Sequence, residues 1–349
     1  MTWFRQKAGN NSQLVQAGTV NNNYGISVQD AEHICLRLIE ERFASHSQEA
    51  YQTAKERFEE FAFNYLKALM EKSPQAIENL SDPGIQSSIL AAEEGFAKSG
   101  DTNLGEILVE MLVKRTSEAS REVRQLALDE AISTAQKLAP KHLDALSVLF
   151  LFRRVQIGTP TLPQFFQSMR ALVDPVAASF ASFSDSDAQY LEATGCAVRT
   201  VGSVSWPYGM KDKYPGYFHK GVIREETPAV AEILENASNP DGLFVPSLHD
   251  ADMIRVNAVT KDEARELAVS TGLESESLAN LVSSYPLSDQ EITDILAREI
   301  PALSPVMERW SAVGLDSLDT SLTGIAIGHA NFKRVAGSAF NAEIDIWIN

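Results

Sequence analysis

The densest group of side chains that could do chemistry lies in the sequence HDAD, which contains His249, Asp250 and Asp252. Imidazole and carboxylate groups bind metal ions and exchange protons, so these residues are candidates for the site of a hydrolase or nuclease effector. The same sequence is typical of an exposed turn, in which an Asp side chain accepts a backbone hydrogen bond. The catalytic interpretation requires the three side chains to converge in a pocket.

Other motifs of enzymes are missing from the sequence. It contains no HExxH, CxxC, GxSxG, GxxxxGK[ST] or GxGxxG pattern. Its two cysteines, Cys35 and Cys196, lie far apart and outside any ligand spacing, which fits a reducing cytoplasm. We therefore expect no cofactor and no metal, and we favour a non-enzymatic protein over an enzyme.

The charge of the chain limits its partners. With 47 acidic and 30 basic residues, the formal net charge is −17, which disfavours nucleic-acid binding because that binding depends on Lys and Arg contacts to phosphates. The most apolar run, Ala145–Phe152, is shorter than the ~20 residues that span a bilayer. We expect a soluble cytoplasmic protein without membrane contact in its resting state. A membrane-perturbing effector that exposes this run on activation is an alternative.

Consecutive amphipathic helices are predicted from Ser27 to Arg154, with Gly100 ending one of them and Asp101 capping the next. The helix after residue 48 carries an aromatic seam at three- and four-residue steps. This seam can pack inside the chain, or it can join two copies. Its aromatic members are Tyr51, Phe58, Phe61 and Tyr65.

Residues 1–25 form a Gly- and Asn-rich leader. It is either disordered or a short strand or hairpin that pairs with copies of itself in an oligomer. The residues that would assemble in this way are Asn10, Asn11, Leu14, Val15, Gln16, Asn21, Asn22, Asn23 and Tyr24.

Residues 198–226 are rich in glycine and aromatic residues, so an irregular segment or a small meander of strands, without a helix, is predicted there. Exposed aromatic side chains are typical of binding surfaces, although the same residues could belong to the core. The predicted partner surface consists of Trp206, Tyr208, Tyr214, Tyr217 and Phe218.

The remaining residues, 227–349, mix short helices with short strands, including a final strand with Ile344, Ile346 and Ile348 on one face. We therefore predict a mainly α-helical protein with a small α+β, winged-helix-like C-terminal part. The predicted division is a leader (1–25), a helical domain (26–197), an irregular segment (198–226) and a C-terminal domain (227–349).

Four stretches resemble an uncharacterised bacterial family known by locus-tag names: Gly9–Phe43, Ser81–Thr116, Leu138–Arg153 and Leu318–Arg334. Thr19 and Val20 depart from that family's leader, where an acidic residue is commoner. The resemblance implies no activity and no catalytic residue. It implies accessory or sensor proteins encoded among mobile elements and phage-defence genes.

Together these observations predict an interaction or oligomerisation protein, with antiviral defence as its setting. We expect a homo-oligomer, and a protein partner as a further binder. The leader and the aromatic seam are the predicted assembly surfaces.

Overall fold

The computed structural model describes residues 30, 33, 48–118 and 120–349. The leader and most of the helix predicted from Ser27 lie outside these residues. The first half of the described chain is helical, and the intervening 3₁₀ turns are Pro74–Ser81 and Ala178–Ser182. Its helices are α1 (Gln48–Lys72), α2 (Pro83–Ser99), α3 (Thr102–Ser117), α4 (Val123–Ala135), α5 (Pro140–Arg154), α6 (Leu162–Ala177) and α7 (Asp185–Ala193).

The second half adds shorter helices and two small antiparallel sheets. Strands β1 (Ala197–Arg199) and β4 (Leu318–Thr320) pair with Ala197 opposite Thr320, and β2 (Phe244–Pro246) and β3 (Ile254–Val256) pair with Phe244 opposite Val256. The helices are α8 (Trp206–Lys213), α9 (Pro228–Asn236), α10 (Lys261–Ser270), α11 (Ser275–Ser283), α12 (Asp289–Glu299), α13 (Leu303–Ala312) and α14 (Leu322–Ala336). The prediction of a mainly α-helical fold is confirmed.

Local sequence signals fix many helix ends. Asp101 accepts hydrogen bonds from the N–H groups of Asn103 and Leu104 at 2.9 and 3.3 Å, which satisfies the free donors at the start of α3. Gly100, with a φ of 63°, ends α2 in the left-handed conformation that glycine adopts at little cost. These residues were the predicted stop and cap, so the prediction of this boundary is confirmed.

The large core is centred on α5 and α14. Residues 142–152 of α5 are buried almost continuously, as a helix that is apolar all round predicts. Helix α14 packs closely against it, since a Cβ atom at Gly328 would lie only 2.7 Å from the carbonyl oxygen of Leu146. Buried residues of this core come from 61–218 and again from 287–348.

A second, smaller core is formed by residues 222–282. The chain enters and leaves this small subdomain through two adjacent segments: the N–H of Lys220 donates to the carbonyl of Tyr285 at 3.0 Å, and the N–H of Leu287 donates to Phe218 at 2.8 Å. The division predicted at residues 26, 198 and 227 stays a prediction. In the structure, buried side chains of residues 287–348 pack in one core with the N-terminal helices, and residues 222–282 form the separate small core.

The end of α5 shows how charged groups are used in this fold. The half-buried Lys213 donates from its ammonium group to the carbonyls of Phe152 and Val155 at 2.5 and 3.0 Å, and partial burial lowers its pKa to about 8. Arg153 and Arg154 bind strand β4 and the residues just before it, and Arg153 donates to the carbonyl of Leu318 at 3.1 Å.

Two local predictions are wrong. Residues 206–213 form α8 rather than irregular chain, because Ser205 caps the N–H of Tyr208 and Pro207 occupies the first turn. The predicted final strand is a 3₁₀ turn, Ile344–Ile346. Ile344 and Ile348 turn into the large core while Ile346 is exposed, so the alternating pattern does not continue.

Candidate interhelical groove

A groove of about 490 Å³ lies between α1, α3 and α14, with Phe96 of α2 at its inner wall. We call it the interhelical groove. Seven residues of α1 line the groove, and four of them are spaced four, three and four apart, which places these four on one face of the helix. The four are Glu60, Asn64, Lys67 and Glu71. A volume of this size is typical of pockets for small molecules.

The inner wall of the groove is apolar. Phe61 and Phe96 are almost fully buried, and their ring centroids lie 5.7 Å apart. Gly105 of α3 makes room for the second ring, because a Cβ atom there would lie 2.8 Å from ring carbons of Phe96. Ala68 and Val109 complete this wall, so a ligand in the groove would meet apolar surface on one side.

The floor of the groove is a row of alternating charges. Glu110 of α3 binds Lys72 of α1 at 2.5 Å and Lys333 of α14 at 2.9 Å, and Lys333 also binds Glu343 at 3.0 Å. Burial alone would raise the pKa of Glu110, but the hydrogen bonds from both lysines outweigh it and lower that pKa. Lys333 has a raised pKa, because its two carboxylate partners outweigh its burial.

This charge row continues into the C-terminal segment. Lys114 binds Asp345 at 2.8 Å, and Asp345 lies 3.7 Å from Arg124. The Nε1 atom of Trp347 donates to the carbonyl of Arg154 at 3.2 Å. The segment after α14 is therefore attached to α3, α4 and α5, and its Glu343 pairs with Lys333 of the groove floor.

Four groups at the rim are unpaired within the described part of the chain. Lys67, Glu60, Glu71 and Glu106 form no ion pair and no side-chain hydrogen bond there, although all line the groove. The rim can therefore exchange solvent for the charged groups of a ligand without first breaking a bond. At the floor, by contrast, a charged ligand group would have to compete with the existing ion pairs.

The groove lacks one arrangement that is typical of catalysis. Its lining lacks Cys, Ser and His, so it offers no nucleophile with an adjacent imidazole base. Across residues 30, 33, 48–118 and 120–349, no group of three or more His, Cys, Asp or Glu side chains could hold a metal ion.

A hydrogen-bonded His, Asp and Ser do meet elsewhere, between α5 and α7. His142 Nε2 lies 2.9 Å from Asp187, and Ser184 donates to the same carboxylate at 2.7 Å. The order differs from a catalytic triad, because the serine contacts the acid and the second ring nitrogen of His142 accepts from the N–H of Ala139. Hydrogen bonds from Lys141, Ser184 and His142 outweigh burial and lower the pKa of Asp187. The arrangement caps two helices.

The predicted polar cluster does not converge. His249 Nε2 lies 2.7 Å from the carbonyl oxygen of Tyr217, whereas Asp250 accepts from the backbone N–H of Asp252 at 3.0 Å. All three residues are exposed. This is the geometry of the exposed turn, and it gives the hydrolase or nuclease hypothesis no support.

The predicted partner surface is mostly interior. Trp206, Tyr214, Tyr217 and Phe218 are at most 2% exposed, because they pack against Phe152 and Phe165 in the large core, and the partner-surface prediction is wrong for these four. Tyr208 is 52% exposed.

The aromatic seam is also used inside the chain. Phe58, Phe61 and Tyr65 are fully buried and Tyr51 is partly buried, so α1 packs this face on its own neighbours. The prediction that these residues join two copies is therefore wrong for the buried three. The leader residues, from Asn10 to Tyr24, lie outside the described part of the chain.

The apolar run Ala145–Phe152 forms the buried centre of α5. Within the described residues, none of the helices combines the length and the apolar character that crossing a membrane demands. The membrane-perturbing alternative would require this helix to leave the large core.

Sequence reasoning missed the interhelical groove. Its residues come from three helices that are distant in the chain, and each looks like part of an ordinary solvated helix face. The spacing of Glu60, Asn64, Lys67 and Glu71 was visible, but it does not reveal what the face adjoins.

A protein-family model described only as ":-like" matches residues 25–348. No curated protein and no solved structure matches the chain.

Proposed function

Since the chain belongs to the uncharacterised family whose model matches residues 25–348, and membership assigns no reaction, we propose from its geometry that it is a non-enzymatic sensor that binds a small molecule in the interhelical groove. The observation that carries the proposal is the groove itself. It combines a volume of about 490 Å³ with an apolar wall and unpaired charges at its rim. Its volume lies in the range of small-molecule pockets, and its lining is more charged than theirs usually is.

The position of the groove supports a sensor rather than a passive store. Its three walls are separate helices, and the Lys72–Glu110–Lys333 row joins them across the floor. A ligand that contacts all three walls would change how firmly they are held together, and it would also act on the C-terminal segment through Glu343. Such a ligand shifts the protein only if it binds two arrangements with different affinity.

A thermal-shift experiment tests the proposal. The melting temperature of the full chain would be measured against a library of amino acids, nucleotides, sugar phosphates and organic acids. Ala68→Trp fills the groove, and Ala229→Trp adds the same side chain at an exposed position of α9. We expect at least one compound to stabilise the wild type and Ala229→Trp but not Ala68→Trp, and mass spectrometry to recover that compound unchanged. A library without such a compound, or a chemically converted one, contradicts the proposal.

Self-association is a second candidate function, favoured by two apolar side chains on the outer face of α1. Phe63 is 66% and Met70 46% exposed, seven residues apart on that face. Light scattering would compare the full chain, a chain that starts at Gly25, and a Phe63→Ser, Met70→Ser variant. A defined oligomer that becomes smaller in either altered chain supports assembly. Monomers throughout contradict it. A cytoplasmic location and a role in antiviral defence stay predictions.

A further inference from the structure

Arg334 is held in an unusual way at the mouth of the interhelical groove. Its Nε and Nη2 atoms donate to the amide oxygen of Asn331 at 3.0 and 2.8 Å, and its Nη1 atom donates to the amide oxygen of Asn103 at 2.9 Å. Within the described residues, no carboxylate lies within ion-pair distance of this guanidinium. Its positive charge is therefore oriented by neutral groups and is not neutralised by them.

Buried hydrogen bonds of Asn331 fix the orientation of the Arg334 guanidinium. Asn331 is fully buried, and its amide nitrogen donates to Ser147 at 2.8 Å and to Asp144 at 3.2 Å. Asp144 in turn accepts a hydrogen bond from Ser179. Because its nitrogen is engaged with these acceptors, the amide of Asn331 must present its oxygen to Arg334. Such support is typical of side chains that are set in place before a ligand arrives.

Arg334 still has capacity to bind. A guanidinium carries five N–H donors, about two of which remain after the three hydrogen bonds to the amides. Its side chain lines both the groove and a neighbouring cavity of about 330 Å³. A paired set of N–H groups with an uncompensated charge matches a carboxylate or phosphate group.

The other groups of the groove narrow the ligand class. The unpaired carboxylates of Glu60, Glu71 and Glu106 would repel a polyanion, but they can accept hydrogen bonds from an ammonium group. The wall that includes Phe61 and Phe96 suits an apolar body. A ligand that matches all three features carries one carboxylate, one ammonium group and an apolar side chain.

We infer that Arg334 binds the carboxylate of a zwitterionic ligand, an apolar amino acid or a short peptide, in the interhelical groove. This inference rests on the proposed function, since it names the ligand class of the same groove. The unpaired rim carboxylates bind the ammonium group, and the aromatic wall contacts the side chain.

Titration calorimetry with the full chain tests the inference. The probes are L-leucine, L-methionine and L-phenylalanine, each beside its amide, which lacks the carboxylate, and its N-acetyl derivative, which lacks the ammonium group. Inorganic phosphate serves as a purely anionic probe. We expect the free amino acids to bind and each derivative to bind at least about tenfold more weakly, as the loss of a charged hydrogen-bond pair predicts.

Variants assign the effect to the residue. Arg334→Gln should weaken amino-acid binding by about tenfold or more, and Arg334→Lys should recover only part of it, because a single ammonium group cannot make a paired contact. Arg298→Gln, at an exposed arginine of α12, should leave binding unchanged. Circular dichroism would confirm that each variant is folded.

The outcomes separate the inference from the proposed function. Equal binding of the amide, equal or tighter binding of the N-acetyl derivative or phosphate, or an unchanged Arg334→Gln variant overturns the inference. If binding then still disappears in Ala68→Trp, the proposed function stands without it. If no probe binds, the inference is wrong, and the library experiment alone decides whether the groove binds another class of molecule.

Discussion

Glu93 of α2 gives the sharpest test of how this core is held together. The residue is 0% exposed, and within the described part of the chain neither of its carboxylate oxygens has a hydrogen-bond partner. Burial therefore raises its pKa well above the ordinary value. The folded chain keeps this carboxyl group protonated over a pH range in which the unfolded chain has already released the proton.

The magnitude follows from proton linkage. Below the unfolded pKa of about 4.3 both states are protonated, and the group causes no pH dependence. Above that pH, the free energy of unfolding should fall by up to ~1.4 kcal/mol per pH unit until the raised folded pKa is reached. Glu93→Gln has no proton to release, so its advantage over the wild type should be small at pH 4.5 and should grow with pH until the folded pKa of Glu93 is reached.

Glu93→Met separates the charge from the unmet hydrogen bonds. It removes the unpartnered oxygens as well, and it should stabilise the chain by roughly 1–3 kcal/mol even at pH 4.5. Urea unfolding followed by circular dichroism from pH 4.5 to 8 would measure both variants beside Glu232→Gln, an exposed control. Parallel pH profiles of the wild type and Glu93→Gln, or a Glu93→Gln variant less stable than the wild type at pH 8, would refute the reasoning.

Three further predictions concern other parts of the fold. The pKa of Lys213 is lowered to about 8, so between pH 8 and 10 the unfolded chain holds more protons than the folded chain. The free energy of unfolding, measured by urea titration, should therefore rise with pH over that window, and the rise should be smaller in Lys213→Met. Gly216→Ala places a Cβ atom 1.9 Å from the carbonyl oxygen of Ala258 and should cost about 2 kcal/mol or more, whereas Gly158→Ala, with nothing within 4 Å, should stay within about 0.5 kcal/mol in the same assay. Replacing residues 221–284 by two glycines should leave a body that unfolds cooperatively, since Lys220 and Tyr285 are already hydrogen-bonded; loss of a cooperative transition by calorimetry would contradict this.

Much of the fold could be predicted from local patterns. The apolar period and the Asp101 cap predict α3, and the reciprocal hydrogen bonds of Ser288 and Glu291 begin α12 where the sequence predicts a helix. Helix α8 was missed although Ser205 and Pro207 are ordinary start signals, because the surrounding glycines and aromatics outweighed them.

The site could not be predicted in the same way. Arg334 and Asn103 are 231 positions apart, and Lys72 and Glu110 are 38 apart, so only tertiary packing brings them together. The prediction that the aromatic residues of 198–226 are exposed failed for a related reason. Composition alone gives no indication that α8 packs Trp206 against Phe152 with ring centroids 4.6 Å apart.

The chain order of the large core has a consequence for how the protein is made. Helix α14 packs on α3, α4 and α5, but about 170 residues separate it from the end of α5, and a ribosome needs roughly 10–30 s to add them. During that time α5 displays apolar surface that α14 will later cover. The small subdomain has its own core and is complete before α14 is translated. Nascent chains halted before residue 322 should therefore bind chaperones, and chains released beyond α14 should escape them.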